Sequence, residues 1–132
     1  MPKTPWKAYR SVKADEEFLA LLSYLPLARF RKLPQFFRHS RDIQTQLDQA
    51  VGLIGYSLRA QLFRRHFWTL SVWEDDKALM DFVRTTPHAQ VMENLQVHMG
   101  ATTFVRWTLK GVSVPPDWKD ALLRYRQQKT NA

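Results

Sequence analysis

Residues 67–88, FWTLSVWEDDKALMDFVRTTPH, decide the fold. Phe67 to Trp73 is dense in aromatic and β-branched side chains, the composition of a half-buried strand. Glu74, Asp75 and Asp76 then place negative charge where the first turn of a helix favours it. Ala78, Leu79, Phe82 and Val83 follow three and four apart, which predicts an amphipathic helix from Asp75 to Thr85. Thr85-Thr86-Pro87 closes that helix and opens a short one to about His98, with a hydroxyl at the N-cap and proline at the first helical position. A strand running straight into a helix sets Trp73 and His88 at two ends of one unit.

Working outward, Glu17 to Leu27 is almost continuously apolar and reads as a first strand. Leu33-Pro34 opens a helix whose stripe, Phe36, Ser40, Ile43, Leu47 and Ala50, runs to about Ala50. Val51 to Phe63 alternates and forms a second strand. Arg64-Arg65-His66 is a tight connection, so the second and third strands form a hairpin. Downstream, Gly100 ends the helical unit and Ala101 to Leu109 is a fourth strand. Pro115-Pro116 restarts the chain, and Trp118, Ala121, Leu122 and Tyr125 pin a C-terminal helix to the body. Residues 1–16 are polar, with Pro2 and Pro5, and read as a loosely held arm. The domain therefore spans 17–111, between an arm over 1–16 and a helical tail over 112–132. Strand, helix, strand, strand, helix, strand is the split βαβ pattern: an α+β, ferredoxin-like βαββαβ sandwich with helices on one sheet face.

Period-2 reading divides that sheet into two unlike faces. Ile54, Tyr56, Leu58, Ala60 and Leu62 join Trp68, Leu70, Val72, Val105, Trp107 and Leu109 on a greasy face, which belongs under the helices. Arg59, Phe67, Ser71, Trp73, Phe104 and Arg106 share the other. A face mixing rings with polar groups is too apolar to stand bare. A second copy of the sheet can enclose a ligand cavity against it, or nucleic acid can stack along it.

Composition narrows the function classes. The 132 residues suffice for one core, and 45% hydrophobic content with 13% aromatic residues marks a globular chain. No run reaches the length of a membrane span, and the start of the chain lacks a signal peptide's apolar stretch, which suggests the cytoplasm. The absence of cysteine excludes disulfides and thiolate chemistry. A net charge of +8 favours anionic partners, but no block of five like charges occurs and the basic residues are spread. The four histidines show no metal-ligand spacing beside carboxylates, so no metal site is expected. With four glycines, no phosphate loop, dinucleotide fingerprint or nucleophile elbow appears.

Thr69-Leu70-Ser71-Val72-Trp73-Glu74-Asp75, then Phe82-Val83-Arg84 and Thr86-Pro87-His88, resembles the dimeric α/β-barrel superfamily of antibiotic-biosynthesis-type monooxygenases. Leu25-Pro26-Leu27, Gly52-Leu53-Ile54-Gly55-Tyr56 and Phe104-Val105-Arg106-Trp107 are similar to its spheroidene-monooxygenase-like branch. The resemblance covers roughly residues 17–111. It implies a homodimer whose two sheets close a barrel, and an oxygenase acting on an apolar, often polycyclic, substrate. Haem-degrading members resemble the chain at Trp73, but their haem histidine falls at Met92 here. That argues against haem ligation by the same geometry and leaves His88 or His98 as the alternative ligand.

Cofactor-free oxygenation needs an electron-rich substrate anion, a dry pocket and positive groups to hold the anion. His88 titrates near neutrality and is the candidate general base, with Arg106 as its catalytic partner. Arg59 can bind a carboxylate or enolate, while Phe67, Ser71, Trp73 and Phe104 line the ligand wall. Each residue has a structural alternative: a helix-start hydrogen bond for His88, core or dimer packing for Trp73, cross-sheet ion pairs for Arg59 and Arg106. An RNA-binding module of RRM-like topology shares the strand order, but Arg65-His66-Phe67-Trp68-Thr69-Leu70 lacks the glycine and alternating rings of that signature, which argues against nucleic acid. The sequence therefore points to a cofactor-independent monooxygenase or binding protein for an apolar, anionic or polycyclic small molecule, with a haem protein as the alternative.

Overall fold

A computed structural model describes residues 4–27, 33–61, 63–84 and 102–130. Its elements are β1 (Lys7–Ala8), β2 (Glu17–Pro26), α1 (Leu33–Leu47), β3 (Leu53–Gln61), β4 (His66–Trp73), α2 (Asp76–Arg84), β5 (Thr103–Lys110), a 3₁₀ turn (Gly111–Ser113) and α3 (Trp118–Thr130). His88, Met92, His98 and the short helix expected from Pro87 lie outside the described residues.

The apolar run of β2 has its reason in the topology. The sheet order is β1-β3-β4-β2-β5, and β2 pairs antiparallel with β4 on one side and β5 on the other. A strand so enclosed presents apolar side chains both ways. Phe18, Ala20, Leu22 and Tyr24 are buried on one face, while Leu19 and Leu21 pack against the opposite one. The chain is thus an α+β fold with the ferredoxin-like βαββαβ order, extended by an edge strand and a C-terminal helix. No helix among the described residues is long and apolar enough to cross a membrane.

Three sequence expectations are corrected here. First, the faces of β3 and β4 combine the other way round. The register sets Tyr56 opposite Ser71, Leu58 opposite Thr69 and Arg59 opposite Trp68. The β3–β4 loop fixes that register, and a one-residue difference exchanges every side chain between faces. A bulge at Ile54, between the pairs Leu53–Trp73 and Gly55–Val72, also breaks the alternation of β3. Arg59 therefore lies on the sheet face opposite Trp73 and Arg106, and the predicted grouping of the two arginines fails.

Second, both faces are covered within one chain. Helix α1, through Ile43 and Leu47, and helix α2, through Leu79 and Phe82, lie on Leu53, Tyr56 and Trp73. The other face, with Leu22, Tyr24, Trp68, Leu70 and Val105, packs against Trp118 and Ala121 of α3 and against Trp6. Phe67, Ser71 and Trp73 thus lie beneath the chain's own helices, not on a bare face awaiting a second sheet.

Third, the described part of the arm is tied down. Lys7 and Ala8 pair with Tyr56 and Gly55, Tyr9 N–H donates to Ile54 O at 2.9 Å, and Ser57 Oγ donates to Thr4 O at 2.7 Å. Lys7 Nζ reaches Asp48 Oδ1 at 2.7 Å, and the Tyr9 hydroxyl donates to the same carboxylate. These two partners hold the Asp48 carboxyl below its usual range. Trp6 lies where a Cβ on Gly55 would stand, 2.6 Å from the indole, so only glycine admits it.

Candidate functional site

The strand-to-helix step is built as its residues require. Asp75 Oδ1 accepts from the Ala78 N–H at 2.8 Å, capping the first turn of α2. Glu74 N–H donates to Gly52 O at 2.7 Å, which fastens the start of β3 under the same turn. Trp73 is 1% exposed; its ring meets Phe82 at 5.2 Å, and its Nε1–H donates to Ser71 Oγ at 2.9 Å. Ser71 is thus a buried hydroxyl whose position is fixed by the indole two residues on. Phe67, further back on the same face, meets Phe37 of α1 edge-on at 5.9 Å.

Across the sheet, Leu21 is in register with both Ser71 and Arg106, so the three form one row. Ser23 likewise joins Thr69 to Phe104, and Leu19 joins Trp73 to Thr108. Two strand spacings separate Ser71 from Arg106, roughly 9–10 Å. The structure therefore gathers Phe67, Ser71, Trp73, Phe104 and Arg106 on one side of the sheet, buried at β4 and accessible at β5. Phe104 is 47% exposed. Arg106 is exposed too, and its guanidinium pairs with Asp76 at the start of α2. Asp76 is the neighbour of Arg106 that sequence reasoning missed; the acidic turn was legible, but not which cation it meets.

An open groove of about 880 Å³ lies elsewhere, between the last turns of α1 and the first of α2. Ala50, Ala78 and Phe82 line it, with Asp42, Glu74, Asp75 and Asp81 adding acid. Among the described residues it contains none of the predicted ligand residues, and it shares the neighbour Phe82 with the ring of Trp73. Among the described residues, no group of three or more His, Asp or Glu side chains could hold a metal ion. The Trp73 ring packs on Phe82 and its N–H is taken by Ser71, so among the described residues this indole is engaged within the core.

No family model and no curated protein matches the chain. Solved structures do. An antibiotic biosynthesis monooxygenase shares 16% identity at a TM-score of 0.62, over 67% of this chain and 95% of its own. A monooxygenase candidate from Fusobacterium nucleatum gives 0.66 at 10% identity, over 76% of this chain and 46% of its own. Another, from Lactobacillus acidophilus, gives 0.61 at 14% identity, over 76% and 50%. The chain thus spans about half the length of the latter two proteins. At such identities the likeness is one of fold: the chain has the ferredoxin-like fold of antibiotic-biosynthesis-monooxygenase-like proteins. It does not select the spheroidene-monooxygenase-like branch.

Proposed function

We propose that the protein is monooxygenase-like and takes up an apolar, acidic or polycyclic small molecule on the helix-facing side of its sheet, beside β5. One observation carries this: Arg106 and Phe104, a cation and a ring, stand accessible on the same face as buried Ser71 and Trp73. Arg106 would exchange Asp76 for the substrate anion, and Phe104 would cover the flat face of the ligand. His88 is the proposed base. The reaction needs no added reductant. A phenol loses one hydrogen from the reacting carbon and one from its hydroxyl. One atom of O2 enters that carbon as a carbonyl while the phenol oxygen becomes the other carbonyl, and the second atom leaves with the two hydrogens as water.

A homodimer belongs to the same proposal, with a structural condition. Helix α3 lies on the sheet face that a second sheet would meet, so face-to-face closure requires α3 to exchange between subunits or to move away.

Oxygen uptake with an oxidisable polycyclic phenol, together with quenching of tryptophan fluorescence by that phenol, tests the reading. Arg106→Ala and His88→Ala should each lower kcat/KM by tenfold or more while leaving the urea midpoint unchanged. The reading fails if both variants bind and turn over like the parent. An absorbance scan of the purified chain separates the cofactor-free reading, which shows no Soret band, from the haem alternative, which does. The apolar surface of an RNA-reading module is not offered, since Trp68 is buried beneath α3.

A further inference from the structure

One end of the sheet carries a surface independent of the site beside β5. There β2 and β3 finish and β4 and β5 begin: Pro26 and Gln61 are both in register with His66, and Tyr24 stands opposite Thr103. The turn Phe63 to Arg65 forms the tip, and it is fastened to the end of β2. Leu27 N–H donates to Arg65 O at 2.8 Å, and Arg65 Nε–H donates to Leu27 O at 3.0 Å. On this fixed turn Phe63 is 92% exposed, the most exposed large apolar side chain among the described residues. Helix α3 ends beside the same turn. His66 meets Tyr24 edge-on at 5.2 Å, Tyr24 meets Tyr125 at 5.3 Å, and Lys129 Nζ lies 5.5 Å from the Tyr125 ring.

Charge is divided along the strands. The sequence has no Asp or Glu from Phe18 to Arg41, nor from Gln49 to Trp73, so the turn and the strand ends around it bring no acid. Glu16, Glu17, Glu74, Asp75 and Asp76 stand at the opposite end, where β2 starts and β4 finishes, and Arg10 and Arg106 pair with acids there. At the turn, Arg64 and Arg65 follow Phe63 directly, and Arg126 and Lys129 are exposed on the last turns of α3. The single acid of α3, Asp120, is closed on Arg124 at 2.9 Å. His66 registers this field: burial first, then the charges of Arg64 and Arg65, hold its pKa below the ordinary value.

A ring held out at a turn among cations suits a partner that is apolar beneath an anionic surface, which is the layering of an acidic bilayer. Nucleic acid asks for something else, rings laid flat on a strand face where bases can stack. The rings of β4 that could do so, Phe67 and Trp68, are buried. We propose that this end of the sheet docks on anionic lipid membrane, with Phe63 entering the interfacial layer while Arg64 and Arg65, and Arg126 and Lys129 of α3, meet lipid phosphates. The arginines keep their charge at every working pH and match phosphate oxygens in geometry.

The test uses the full chain and vesicles of phosphatidylcholine with about 30% phosphatidylglycerol, against phosphatidylcholine alone, at roughly 0.15 M salt. The chain should float with the acidic vesicles and at least tenfold less with the neutral ones. Arg64→Glu should lower the partition coefficient about tenfold, and Phe63→Ser about fivefold, with urea midpoints unchanged because both side chains are exposed. The chain holds no cysteine, so Phe63→Cys and Val51→Cys each take a single polarity-sensitive fluorophore. Val51, 89% exposed just before β3, marks the acidic end. Acidic vesicles should shift the Phe63→Cys label to the blue and leave the Val51→Cys label unchanged. These two labelled chains decide the matter even if Arg64→Glu does not fold. The proposal is overturned if the chain ignores acidic vesicles, if both substitutions leave flotation intact, or if the Val51→Cys label responds as strongly. It is overturned equally if single-stranded RNA shifts the Phe63→Cys label while vesicles do not.

Discussion

Trp73 shows how one side chain is committed by its surroundings. Its indole packs with Leu53, Leu79 and Phe82, and among the described residues its polar edge is satisfied by Ser71. Ser71→Ala should therefore cost about 1–3 kcal/mol in urea unfolding, since it strands a buried N–H. Removing that hydroxyl should leave oxygen uptake far less affected than Arg106→Ala, if Arg106 meets the ligand directly. His66 offers a pH-dependent counterpart. Burial, with Arg64 and Arg65 beside it, lowers its pKa from 6.5. The folded chain then binds this proton less readily than the unfolded one. Stability should be flat above about pH 6.5 and fall as pH drops below it, until His66 is protonated in both states. Urea midpoints at pH 7.5 and 5, compared with those of His66→Gln, check this; the variant should show the smaller decline.

At the level of elements, the β3–α2 contact depends on Gly52. Its φ is +85°, and a Cβ there would stand 2.5 Å from that of Ala78. Gly52→Ala meets both a strained backbone and a close helix, so about 1–3 kcal/mol of destabilisation is expected, measurable by thermal unfolding. Asp75→Ala removes the α2 cap and should cost about 0.5–2 kcal/mol. The two changes act on one turn, so their double variant should fall short of, or exceed, simple addition.

For the whole molecule, α3 is the deciding part. It places Trp118 and Ala121 on Tyr24, Trp68 and Leu70, a surface that would otherwise be apolar and exposed. A chain ending at Val114 should lose cooperativity in denaturation and, by light scattering, associate more strongly than the intact chain. If the shortened chain stays as dispersed and as stable as the parent, α3 is not what covers that face. The same measurement on the intact chain reads the proposed homodimer directly.

What was legible in the chain, and what was not, divides by the reach of the interactions involved. The order of strands and helices, the acidic start of α2 and the stripe of α3 follow from local chemistry, because capping, helix dipoles and periodicity act within a few residues. The resemblance over Thr69 to Asp75 led to the fold that the solved structures share. Arg59 marks the limit. Its alternation along β3 beyond the bulge at Ile54 was right, yet its face relative to Trp73 was not, since that depends on the register between β3 and β4. The ion pair of Arg106 with Asp76 and the cover of α3 over Trp68 likewise join residues far apart in the chain. The sequence by itself determined the elements, their order and which side chains are apolar. Only the tertiary structure decided which faces meet, because strand register and helix docking are settled by long-range packing, where a shift of one residue costs little locally and exchanges inside for outside.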